Sequence, residues 1–247
     1  MNVWDIMPVM LLLLFSIALA VGIGFVLVLF RRSTLRSRDN RPVGETLDGA
    51  PPQACAFRWP GCWLAVKSRS TFAVQSALGL HNPKPCSWIR GLAGEEKLFI
   101  APPVKGWVLV MGSGLPDPSE DVDACFRFVL QLSRRLGQVQ FFSASRVLHY
   151  HSWVMADSGR IQRAYAWAGK TLWTQGGVTP AERELGLKCF DYLELSDPPE
   201  YGRPDVPCLN VEKLPMLAAR WSIDPGRIDA RFLQLERGIA GEPSWRY

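Results

Sequence analysis

Between Asp5 and Arg31 the chain carries no charged residue: Ile6 to Phe30 is an unbroken run of apolar and small side chains. A helix rises about 1.5 Å per residue and about 20 apolar residues cross a bilayer core, so this run predicts a transmembrane helix over 6–30 with length left for tilt. Ala18-Leu19-Ala20 also fits the small-residue rule of a signal-peptide cleavage site. A cleaved signal wants a positive start and an apolar core of about 7–15 residues, whereas this segment starts with Asp5 and stays apolar through Phe30, which favours an uncleaved anchor.

Arg31, Arg32, Arg36, Arg38 and Arg41 follow the run and no Lys or Arg precedes it. By the positive-inside rule, residues 1–5 are expected outside and everything from about residue 31 in the cytoplasm, as a single-pass membrane protein. Arg31, Arg32, Arg36 and Arg38 form the membrane-surface segment; orientation accounts for them, and four charges are the low end of a lipid-binding cluster. Ala18 with Gly22, and Ala20 with Gly24, are small residues four apart and permit helix pairing within the bilayer.

The same arginines dispose of the charge. Of the formal +5, the juxtamembrane arginines less Asp39 hold +4, Asp5 subtracts one, and the rest of the chain is left with +2. Nucleic-acid binding therefore has no basic stripe to rest on. Six cysteines are scattered without a C-x-x-C pair, and in a cytoplasmic domain of about 190 residues they read as small buried hydrophobes rather than staples.

Residues 31–56 are polar and rich in Pro and Gly, the composition of a flexible linker. Residues 57–237 are expected to form one α+β domain, and 238–247 a C-terminal tail. The element order from Cys62 to Ser143 reads strand, helix, strand, strand, helix, strand: a strand at Cys62–Lys67, a helix capped by Ser70 and stopped by Gly79, two strands around the Pro102–Gly106 turn, a helix capped by Ser119 and stopped by Gly137, and a strand over Gln138–Ser143. That is the order of a ferredoxin-like βαββαβ sheet. A β-hairpin across Asp157-Ser-Gly159 and C-terminal helices, one starting at Thr179-Pro180 and one over Val211–Trp221, are expected to extend it.

Candidate sites are sparse. Gly112-Ser-Gly114 lies between strand and helix, but the chain continues Leu-Pro116-Asp-Pro118, and prolines remove the amides a phosphate would need. His149 and His151, two apart on a predicted strand, would share a face; they are the low-ranked catalytic candidates, with a cysteine or carboxylate as partner in a hydrolase. They do not complete a metal shell, so no metal or other cofactor is expected. Ten tryptophans are the oddest feature of the composition. Trp63, Trp107 and Trp167 sit in patterned strands and read as core, while Trp88 and Trp173, placed in loops beside Pro or Gly, are the candidates for an exposed partner surface. Glu182, Arg183, Glu184 and Lys188 read as a solvated helix face with a Glu184 to Lys188 pair. The functional expectation is a membrane-anchored cytoplasmic module binding a protein or small ligand, with a tethered hydrolase and a structural protein self-associating through its membrane helix as alternatives.

Overall fold

A computed structural model of the chain describes residues 61–192, 206–229, 232–233 and 236–245. The expected membrane helix, its Ala18/Gly22 and Ala20/Gly24 pairs, the arginines at 31, 32, 36 and 38, and the linker lie outside the described residues. Among the described residues no helix is long and apolar enough to cross a membrane. The elements are β1 (Cys62–Lys67), α1 (Thr71–Leu78), β2 (His81–Ser87), α2 (Trp88–Leu92), β3 (Leu98–Ile100), β4 (Trp107–Met111), α3 (Val122–Leu136), β5 (Val139–Ser145), β6 (Tyr150–Asp157), β7 (Arg160–Ala168), β8 (Thr171–Gln175), α4 (Pro180–Glu184), α5 (Val206–Trp221), a 3-10 turn (Pro225–Arg227) and β9 (Arg237–Glu242).

The class is mixed α+β, dominated by one antiparallel sheet. Its strands run β2-β9-β3-β4-β1-β5-β6-β7-β8, wider than a four-stranded plait extended by one hairpin. Strict alternation divides the side chains between two faces. Leu64, Val66, Val108, Val110, Phe141, Val154 and Ala164 face α1 and α3, which contribute Val74, Leu78, Cys125, Val129 and Leu132. Trp63, Ala65, Leu109, Met111, Phe142, Trp153, Tyr165 and Trp167 face α2 and α5, from which come Trp88, Leu92, Leu214, Leu217 and Ala218. Both faces are covered, so the central strands read as near-continuous apolar runs; all five residues of β4 are buried.

Local signals act largely as the sequence implies. Ser70 Oγ accepts from the Ala73 amide at the start of α1, and Gly79 ends it at φ 54°, a left-handed conformation that costs glycine little. Ser158 and Gly159, both at positive φ, make the two-residue turn whose twist suits the β6–β7 hairpin. Gly112 is a packing glycine: a Cβ there would collide with the Lys97 carbonyl, and the Gly114 amide donates to that same oxygen at 2.8 Å. The Gly114 amide thus serves the segment that leads into β3.

Several expectations are corrected. Asp121, not Ser119, caps α3, its carboxylate accepting from the Ala124 amide, while Ser119 bonds Asp117 one turn earlier. The Pro83–Trp88 segment is not a loop: it forms the edge strand β2 and the short helix α2. Residues 171–175 form strand β8, and the residues taken for a C-terminal tail supply β9, which sits between β2 and β3. Arg237, Gly238 and Gly241 hide that strand, because glycine is depleted in strands and gives no alternating pattern.

Candidate functional site

Chemistry-bearing side chains converge on the α5 side of β6 and β7. Alternation puts His151 and Trp153 of β6 on that face with Arg163, Tyr165 and Trp167 of β7, and the register sets His151 opposite Trp167 and Trp153 opposite Tyr165. The His151 imidazole is stacked between two indoles, with ring centroids 5.5 Å from Trp153 and 5.6 Å from Trp167, and leans on Tyr165 at 5.8 Å. It is 1% exposed.

Asn210 of α5 fixes its protonation. The Asn210 amide brackets the Lys188 backbone, Oδ1 accepting from Lys188 N at 3.0 Å and Nδ2 donating to Lys188 O at 2.7 Å. With the amide oriented in this way, its second proton points to His151 Nε2, 3.1 Å away. Nε2 is therefore the acceptor and Nδ1 carries the proton of a neutral ring. Burial lowers the imidazole pKa from 6.5 to about 3, in agreement with a ring that stays uncharged.

One step along β7, Arg163 forms an ion pair with Glu182, Nε to Oε1 at 2.9 Å, with both side chains sealed at 1% and 0% exposure. Glu182 is held by its own helix: Thr179 Oγ1 accepts from the Glu182 amide, and Glu182 Oε2 accepts from Thr179 N at 2.6 Å, closing a capping box at α4. Its Oε1 also accepts from the Trp153 indole at 2.8 Å. The Arg163 Nη1 donates to the Ala164, Gln175 and Gly176 carbonyls, and Nη2 to Cys189 Sγ at 3.1 Å. Burial pushes the Cys189 thiol up to about 12, so it is not the thiolate a nucleophile needs. Tyr165 Oη accepts from the Phe190 amide, and burial raises its pKa.

The two histidines are not brought together. His149 lies in the β5–β6 turn at φ 47°, exposed, whereas His151 is inside the strand and buried. The turn breaks the alternation on which a shared face depended, so neither the shared polar face nor a joint catalytic role for His149 and His151 survives. Among the described residues no group of three or more His, Cys, Asp or Glu is placed to hold a metal ion. Trp88 and Trp173 are not a surface either. Trp88 is fully buried edge-on to Phe99 and Phe232, and Trp173, as part of β8, packs edge-on to Phe126 of α3. Prolines and glycines beside them mark edge strands rather than loops. Glu182, expected in solvent, is core, and Glu184 pairs with Arg220 at 2.6 Å rather than with Lys188.

Exposed apolar surface lies elsewhere. Val147 and Leu148, at the tip of the β5–β6 hairpin, are 69% and 62% exposed. The turn is pinned by the Leu148 amide donating to Ser145 Oγ, and Arg146 of the same turn pairs with Glu212 of α5 at 2.8 Å. Leu209, one turn before Glu212, is also exposed.

Sequence reasoning missed Arg163, Glu182 and Asn210. Two of the signals were present. Thr179-Pro-Ala-Glu182 is a capping-box pattern, and an arginine at the parity of Tyr165 and Trp167 must be buried with a counter-charge. Comparisons with protein-family models, with curated proteins and with solved structures return no match.

Proposed function

We propose that this chain is a membrane-anchored binding module, its anchor the charge-free run 6–30 and its domain in the cytoplasm, with the β5–β6 hairpin tip as the contact surface for a protein partner. The observation that carries the reading is the adjacent pair Val147 and Leu148, two large aliphatic side chains held out on a pinned turn. Surfaces of this kind contribute to binding by giving up apolar area to a partner. The hydrolase alternative is weakened by the state of its histidine: His151 is neutral, sealed between indoles and tied to Asn210, out of reach of a substrate. Within the sheet we read β1-α1-β3-β4-α3-β5 as a ferredoxin-like βαββαβ unit. This is supported by the strand order β3-β4-β1-β5 and by α1 and α3 packing on one face.

The test places a photo-crosslinking residue at Leu148 of the full-length protein in its native membrane, with the exposed Arg160 as control position. A discrete adduct at 148, absent at 160 and lost when Val147 is replaced by Asp, is the expected result. Equal labelling at both positions would count against the tip. An adduct at twice the chain mass would assign the surface to self-association. Topology is read separately with a C-terminal reporter, expected to be active only in the cytosol.

A further inference from the structure

At the other end of the β5–β6 hairpin, α5 stops at Trp221 while the sheet continues beneath it, and the uncovered strip forms a cleft of about 150 Å³. Its lining combines three glutamines, Gln138, Gln140 and Gln162, with Asp157, Trp221, Met155 and Ala156. Gln138 and Gln162 are exposed at the mouth, and Gln140 is buried at 3% exposure. Gln140 Nε2 donates to the Trp221 carbonyl at 3.0 Å, fixing the amide, and its Oε1 has no hydrogen-bond partner among the described residues. A buried acceptor left without a donor is costly, but this oxygen is sealed from solvent, so the exposed Gln138 and Gln162 amides are the groups an incoming hydroxyl reaches.

We infer that this cleft binds a neutral polyhydroxylated ligand of about one sugar ring. The volume falls below the roughly 300–1,000 Å³ of a drug-sized pocket, which limits the occupant to a single small ring. The lining includes no Lys or Arg and does include a carboxylate, so an anion is disfavoured. Each exposed amide, Gln138 and Gln162, offers both a donor and an acceptor, and a hydroxyl can answer either one, whichever way it is turned. The indole, packed against Phe142 at 5.9 Å, supplies a large, rigid apolar wall for the C–H face of such a ring. The site is independent of the hairpin tip, and neither proposal rests on the other.

The full-length protein in lipid nanodiscs is titrated calorimetrically with the methyl glycosides of glucose, galactose and mannose, with N-acetylglucosamine, and with acetamide as the simple-amide arm. At least one saccharide should bind saturably with one site per chain. Gln138→Ala and Gln162→Ala, both at exposed positions that leave the fold intact, should each weaken it by about five- to tenfold, and Leu148→Asp should leave it unchanged. Absence of saturable saccharide binding, binding indifferent to both glutamine variants, or acetamide binding as tightly as the best saccharide each overturns the inference.

Discussion

Arg163 and Glu182 are 19 residues apart in sequence and in contact within the core. A lone buried charge is far more costly than a solvated one, so each makes the other tolerable, and breaking such a pair from one side typically costs about 3–5 kcal/mol. Glu182→Gln is expected to destabilise the domain by about 3 kcal/mol, whereas Glu184→Gln, which removes an exposed partner of Arg220, should leave its stability nearly unchanged. Denaturant unfolding of the two variants separates a core carboxylate from a solvated one; equal effects would refute the assignment. His151 is expected to make the fold acid-labile. Its folded pKa, about 3, lies below the unfolded 6.5, so the unfolded state binds more protons as pH falls through that window. Stability from this residue is complete above pH 6.5 and declines toward pH 3, by about 3 kcal/mol at pH 4. His151→Phe keeps the stacking and removes the titration, so its unfolding free energy should lose this slope between pH 6.5 and 4; an unchanged slope would place the acid sensitivity elsewhere.

At the scale of elements, the caps and turns were readable because they are local. Ser70, Gly79, Gly137 and Thr179 act within a few residues of themselves, and the structure uses each at the helix end where it was expected. The exception is instructive: Ser119 and Asp121 are both competent caps, and the choice went to Asp121 because Asp117 engages Ser119 in a preceding turn. Asp121→Ala should therefore lower the melting free energy by about 1 kcal/mol, and Ser119→Ala by less. A larger effect from Ser119 would restore the earlier start. The edge strands show the limit of local reading. Pro83 and Pro85 look like loop residues, yet at a sheet edge proline sacrifices no inner ladder bond and blocks further pairing. On the opposite edge the Tyr192 hydroxyl accepts from the Thr174 amide at 3.0 Å, occupying a group that an incoming strand would seek.

For the molecule as a whole, one flank of the sheet is joined to the rest by residues from the chain's last tenth. β9 pairs with β2 through Lys84 and Ala240, Pro85 and Ile239, and with β3 through Phe99 and Ala240, so it joins β2 and α2 to the rest. Truncation after Glu236 should release that flank, cost more than about 4 kcal/mol, and open the 81–92 segment to protease while exposing Trp88. Protection of 81–92 in the truncated protein would show that β9 is dispensable.

By itself the sequence determined what depends on composition and near neighbours: an apolar run long enough to span a bilayer, the charge asymmetry beside it, an α+β class, and most helix ends. Period and capping act over a few residues, so they are legible without partners. Only the tertiary structure decided that Trp88 and Trp173 are buried, that Glu182 is core, and that 237–242 is a strand. Each of these depends on what the fold brings against a residue from tens of positions away. Burial and hydrogen bonding are properties of that meeting, not of the residue alone.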